Sequence, residues 1–130
     1  MRVEYLTLDD VLALHEDQLA HYGGRRGLRS LPLLESAIAM PEATFDGILL
    51  HATLFEMAAA YLFHLLQNHP FADGNKRTGL MVALVFLGMN GTDVAADADE
   101  LYRLVIGVAR GEVSKAEVAL FLKRNARARG

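Results

Sequence analysis

The stretch His69-Pro70-Phe71-Ala72-Asp73-Gly74-Asn75-Lys76-Arg77 brings a titratable base, a carboxylate, a glycine and two cations into one short segment. Imidazole titrates near neutral pH, so His69 could take a proton from a hydroxyl. Asp73 offers a hard oxygen ligand, and magnesium on nucleotide phosphates needs only one or two protein carboxylates. Asn75 is a favourable N-cap, which puts Lys76, Arg77 and Thr78 in the first turn of the following helix. That end of a helix already carries about half a positive charge, so a cation there is disfavoured by about 0.3–1 kcal/mol. A bound anion would compensate. Free backbone N–H groups, a glycine that permits close approach at Gly74, and two cations together make a phosphate cradle. In it Arg77 could fork onto phosphate oxygens while Lys76 acts as a point charge. Phe71, with Pro70 stiffening the loop, reads as the apolar anchor that fixes His69 relative to the cradle. Each residue alone could have a plainer role, His69 and Asp73 as helix caps and Lys76 and Arg77 as solvated or ion-paired cations. The two cations placed together at the unfavourable helix end are what point to phosphate.

Elements of the right length flank this segment. Thr7/Asp10, Thr53/Glu56, Asp97/Glu100 and Ser114/Glu117 each pair a capping side chain with a carboxylate three residues on, marking four helix starts. The first opens a helix over 8–22 with Leu8, Val11, Leu12, His15, Leu19 and Tyr22 on one face, stopped by Gly23-Gly24. Ser30 and Pro32 begin a short helix that Pro41 ends. Between 41 and 52 no helical period persists, and Phe45-Asp46-Gly47-Ile48 is a turn signal for a small hairpin or flap. Leu54–Asn68 and Asn75–Met89 are apolar nearly all round and should form the core pair, the second closed by Asn90-Gly91. Amphipathic helices come next near 98–110 and 115–126, separated by Gly111. The expectation is an all-α fold, a single helical bundle of about six helices forming one domain over 1–130, with a possible hairpin or flap near 42–52.

Composition narrows the function classes. The 130 residues are 52% hydrophobic and 22% charged, as in a globular chain. Net charge is -3, with no broad basic field, so neither nucleic acid nor a membrane surface is an expected partner. The N-terminus Met1-Arg2-Val3-Glu4 lacks the apolar run of a signal peptide, and the longest nearly apolar stretch, Gly79 to Met89, is about half a membrane span. There is no cysteine, which excludes disulfides and thiolate chemistry and suits the cytoplasm.

Outside the loop, His15 falls on an apolar helix face, where a histidine is usually a hydrogen-bonded core residue; the other reading is a contact with the active loop. His15-Glu16-Asp17-Gln18-Leu19 lacks the second histidine of a zinc-binding HExxH motif, and His64 and His69 are poorly spaced as a ligand pair. Arg25, Arg26 and Arg29, near Gly23, Gly24 and Gly27, read as a solvated loop, the other reading being a substrate or partner contact. Lys123, Arg124, Arg127 and Arg129 suit a helix C-terminus. Phe45–Leu50 could dock a peptide by strand addition or simply be a surface loop.

HPFADGNKR resembles the HPFxxGNGR motif of Fic proteins, and more closely the death-on-curing, or Doc, branch of that family. YLTLDDVLALHEDQLAHYGG, AAAYLFHLLQNHPF and GEVSKAEVALFL extend the resemblance, in the same order, over nearly the whole chain. The resemblance implies a Fic/Doc-like helical fold in which His69 is the base, Asp73 binds magnesium, and Gly74, Asn75, Lys76 and Arg77 form the anion cradle. Lys76 replaces the second glycine of the Fic motif and Leu80 its second arginine, which argues against adenylyl transfer. In Doc proteins such a lysine goes with a reversed nucleotide that presents its terminal phosphate. The resemblance thus implies a toxin that uses ATP and Mg2+ to phosphorylate a threonine of elongation factor Tu, arrests translation, and is neutralised by a Phd-like antitoxin. The alternatives are a Fic-type protein adenylyl transferase and a non-catalytic binding module using the basic C-terminal helices. No Gly-x4-Gly-Lys-Ser/Thr loop and no protein-kinase HRD or DFG element is present, so phosphoryl transfer would run on a different scaffold.

Overall fold

The computed structural model describes residues 2–129. All four marked helix starts are present. α1 (Leu8–Tyr22) opens with a reciprocal cap: Asp10 N–H donates to Thr7 Oγ1 at 3.1 Å and Thr7 N–H to Asp10 Oδ2 at 2.9 Å. α2 (Leu31–Ala39) is capped by Ser30. Pro41 does not follow its end directly; the α-helix closes at Ala39 and the chain tightens into a 3-10 turn, Met40–Glu42, whose first turn accepts a proline. The hairpin expected near 42–52 is there, as β1 (Thr44–Phe45) paired antiparallel with β2 (Ile48–Leu49). Asp46 and Gly47 at its tip have φ of 51° and 76°, the two positive values a two-residue type I′ turn requires.

α3 (Leu54–Asn68) and α4 (Asn75–Met89) come next, with β3 (Thr92–Val94), α5 (Ala98–Ala109), α6 (Lys115–Arg124) and β4 (Ala126–Ala128) completing the chain. The fold is mainly helical, as expected. Two differences lie at the C-terminus, where α6 stops at Arg124 rather than near 126 and the chain returns as β4 to pair with β3, Asp93 opposite Arg127. Arg127 and Arg129 therefore do not sit at a helix end. Arg129 Nη2 lies 2.7 Å from Asp93 Oδ1, and its guanidinium covers Gly88, where a Cβ would fall 2.8 Å from Nη2. No helix among the described residues is long and apolar enough to cross a membrane.

α3 and α4 are the core pair, each buried on several faces: Tyr61, Leu62 and Leu65 on one, Val82, Ala83, Phe86 and Leu87 on the other. α3 also packs against α2 and α6, so it is held from three sides. Gly79 lets the two helices meet just beyond the connecting loop. A Cβ there would come within 2.5 Å of Leu66 Cδ1. Ala can be accommodated by a shift of Leu66 and regains helix propensity, whereas a branched side chain cannot. Gly79→Val should destabilise by about 1–3 kcal/mol, seen as a lower urea midpoint at unchanged slope; a midpoint equal to wild type would show that the helices can separate freely here.

Candidate active site

His69 ends α3 in the left-handed conformation, φ 48° and ψ 55°, with its N–H on Leu65 O. That is an uncommon place for a residue with a Cβ. What holds it is a strap formed by residues 24–30. Arg29 donates from Nε to His69 O and from Nη2 to Asn68 O, both at 2.6 Å. The N–H groups of Arg29 and Ser30 reach Pro70 O at 2.7 and 3.0 Å, Ala72 N–H donates to Gly27 O, and Leu28 bridges Phe71. Arg25, Arg26 and Arg29 are all exposed, as a solvated loop requires, but two of them also serve the loop's carbonyls, Arg29 as above and Arg25 through Nη2 on Ala72 O at 3.3 Å. Arg26 lies instead 3.9 Å from Glu16.

Phe71 is 1% exposed and stacks on the His15 ring, centroids 3.7 Å apart and 8° from parallel. His15 Nε2 lies 2.8 Å from Asp73 O; a carbonyl only accepts, so the imidazole donates. His15 is therefore both a buried core residue and a contact of the loop, so the two readings its sequence position allows hold together.

Asp73 faces outward with its carboxylate aligned by two backbone donors, Gly74 N–H on Oδ1 at 2.9 Å and Arg25 N–H on Oδ2 at 3.0 Å. The bond from Arg25, then that from Gly74, with the charges of Arg25 and Arg77, hold its carboxyl below the ordinary value. It stays ionised, and each oxygen keeps lone-pair capacity for a hard cation. A single outward carboxylate is a donor that fits magnesium on a phosphate-bearing ligand, which takes most of its oxygens from phosphate and water. Among the described residues no cluster of three His, Asp or Glu could hold a metal by itself.

α4 begins differently from the expectation. Its N-cap is Gly74, at φ 79°, and Asn75 is the first helical residue, 5% exposed. The Asn75 side chain turns back into the loop, where Oδ1 accepts from Phe71 N–H and Nδ2 donates to Phe71 O, both at 3.0 Å. The second Nδ2 hydrogen points at His69 Nδ1, 3.2 Å away. Because the Phe71 bonds fix the amide's orientation, His69 Nδ1 is the acceptor and the neutral ring carries its proton on Nε2. The backbone N–H groups of Asn75, Lys76 and Arg77 lie in the first turn, where no helical acceptor exists.

No acidic residue occupies that turn, and neither Lys76 nor Arg77 has a carboxylate within ion-pair distance among the described residues. The Arg77 guanidinium lies 4.8 Å from the centre of the Tyr22 ring. Tyr22, expected on the inward face of α1, is 63% exposed and forms a wall of the site instead. Polar groups elsewhere do not join it. His64 accepts from Lys115 Nζ at 3.1 Å, and burial pushes its pKa down to about 4. A cavity of about 1110 Å³ lined by His51, Phe55, Met57, Lys115 and Leu120 lies at the start of α3 and contains none of the loop residues.

The sequence pattern of the Fic/DOC family matches residues 5–87, more than half of the chain. The chain belongs to the Fic/Doc family. The match takes in α1, the strap, the hairpin, α3 and the loop, and ends within α4. A protein named "Protein kinase doc" from Escherichia phage P1 is 36% identical over 124 residues, 94% of this chain and 95% of that one. "Toxin Doc" from Mycolicibacterium smegmatis is 42% identical over 96 residues, 74% of this chain and 72% of its own. The likeness to the first relative therefore extends past α4, through α5 and into α6.

The depressed pKa of Asp73 gives the loop a pH dependence of definite sign. Its contribution is present above the ordinary carboxyl value of 3.8 and is lost as pH falls from there through the lower folded value. At Gly24, φ 125°, a Cβ would lie 2.9 Å from Asp73 Oδ2. Gly24→Ala should displace the carboxylate from Arg25 N–H and return its pKa toward 3.8, tracked by carboxyl carbon NMR. An unshifted titration would show that the strap does not set this carboxylate's charge.

Proposed function

We propose that this protein is the toxin of a toxin–antitoxin pair and transfers the terminal phosphate of ATP to a protein hydroxyl. The observation that carries the reading is the start of α4. Three first-turn N–H groups without helical acceptors stand with the exposed cations Lys76 and Arg77, neither paired with a carboxylate among the described residues, in the same loop as the exposed Asp73 and His69. The names of the two relatives, one a protein kinase and one a toxin, support it.

In this reading the N–H groups of Asn75, Lys76 and Arg77 hold phosphate oxygens, with Gly74 admitting them closely. Lys76 and Arg77 offset charge on the transferred group. Magnesium, held by Asp73, would neutralise phosphate charge and align the nucleotide. His69 accepts the target hydroxyl's proton as the hydroxyl oxygen bonds to the terminal phosphorus and that phosphorus parts from its bridging oxygen, which leaves with ADP. The resting ring presents Nε2–H, so basic action through Nε2 requires the 3.2 Å contact with Asn75 to open and the proton to move to Nδ1. Catalytic hydrogen bonds commonly rearrange in this way when substrate arrives. Lys76 and Leu80 stand where the Fic motif has glycine and arginine, which favours transfer of the terminal phosphate over an adenylyl group. A threonine of elongation factor Tu is the proposed acceptor, a Phd-like antitoxin the proposed partner, and the cytoplasm the site of action.

Incubation of the protein, magnesium and elongation factor Tu with ATP labelled at the alpha or the gamma phosphate separates the reactions. Gamma label alone should move to the acceptor, and chelation of magnesium should stop it. His69→Ala should slow transfer by about 10²–10⁴-fold. Transfer of alpha label instead would replace phosphorylation with adenylylation.

A further inference from the structure

Three side chains outside the motif reach the loop's backbone carbonyls: Arg25 Nη2 meets Ala72 O at 3.3 Å in the middle, while Arg29 and His15 hold opposite ends. Arg29 is exposed, yet it reaches the carbonyls of Asn68 and His69 at 2.6 Å while its own N–H meets Pro70 O at 2.7 Å. Its charge has no carboxylate partner among the described residues. The carbonyls it meets close α3, where the helix dipole is negative and a cation is favoured. Between those contacts His69 is kept left-handed, a conformation that persists for such a residue only when its surroundings impose it. At the other end, His15 is 4% exposed and donates to Asp73 O at 2.8 Å while stacked on Phe71. That bond fixes the peptide joining Asp73 to Gly74, the N-cap of α4.

We propose that Arg29 and His15 are positioning residues with separate duties. Arg29 sets the backbone of His69 and so the direction of the base. His15 sets the Asp73–Gly74 peptide and so the mouth of the anion cradle and the carboxylate beside it. Neither touches the nucleotide or the acceptor. The kinetic consequences rest on the transfer reaction proposed above; the structural ones do not.

Kinetics with gamma-labelled ATP and elongation factor Tu should divide the two. Arg29→Ala should lower kcat about 100-fold, the scale expected when a reacting group is misplaced by about 1 Å, with the dissociation constant for magnesium-ATP unchanged. Arg29→Lys, a single charged donor facing two carbonyls, should recover part of the rate, and methylguanidinium added to Arg29→Ala should recover more. His15→Phe keeps the stack on Phe71 but removes the donor, and should weaken magnesium-ATP binding about tenfold with kcat at saturation little changed. His15→Gln, which restores a donor, should regain affinity. Equal losses of affinity and turnover in both variants would overturn the division of duties.

Amide hydrogen exchange in the nucleotide-free chain tests the same idea without any reaction. Phe71 and Ala72 N–H, bonded to Asn75 Oδ1 and Gly27 O, should exchange faster in Arg29→Ala while α5 is unaffected. Uniform acceleration across the chain, or none, would overturn the proposal. If the wild-type chain moves no label while this local pattern holds, the transfer reading fails and the positioning role stands.

Discussion

A short link between two strongly apolar helices has to pair its backbone polar groups without help from a helix or sheet, and this requirement organises the molecule. Buried unpaired carbonyls and N–H groups cost free energy comparable to a lost hydrogen bond. Residues 68–75 meet the requirement with donors and acceptors from elsewhere. Arg29 and Ser30 serve the carbonyls of Asn68, His69 and Pro70, Asn75 serves both backbone groups of Phe71, Gly27 serves Ala72, and His15 serves Asp73. The polar loop at the end of the core is thus built jointly by α1, the strap and α4. The residues that could do chemistry are the ones left facing out.

The same accounting explains why the start of α4 stays open. A helix of this length could be capped by a side chain, as Thr7, Thr53, Asp97 and Ser114 cap four others. At α4 the residue that could have done so, Asn75, is turned inward to hold Phe71, and Gly74 supplies no side chain. Lys76 and Arg77 then add positive charge where the dipole already disfavours it, by about 0.3–1 kcal/mol for each exposed cation. The cost is small beside the roughly 5–15 kcal/mol of a folded domain. It leaves local positive potential and free N–H groups at one point, an arrangement suited to an anion.

The range of each interaction decides how much of this is legible in the sequence. The helix starts are readable because a cap and its carboxylate lie three residues apart, and the hairpin because Asp46-Gly47 meets a two-residue turn's demand for positive φ. The burial of Phe71 is implied by an apolar residue between two core helices. The strap is not readable. Arg29 and His69 are far apart in sequence, and arginines among glycines carry no local sign that their partners are carbonyls. β3 and β4 escape notice for a related reason: Ala126-Arg127-Ala128 has little strand propensity, and its pairing with Thr92–Val94 depends on how α5 and α6 return the chain. The residue type of Asn75 suits a cap, while its buried contacts with Phe71 carry it one position further, into the helix.

Asn75 also links the loop's architecture to its chemistry. The side chain that fixes Phe71 points its remaining hydrogen at His69 Nδ1, so one amide sets both the position of the apolar anchor and the tautomer of the histidine proposed as base. At 3.2 Å that last bond is long beside the two 3.0 Å bonds to Phe71. It is the contact that can open without disturbing the anchor. A histidine held by its backbone through Arg29 but only lightly by its ring has a fixed origin and an adjustable proton. A general base needs both, since its distance to the hydroxyl must be set before substrate arrives while its protonation must change as the reaction proceeds.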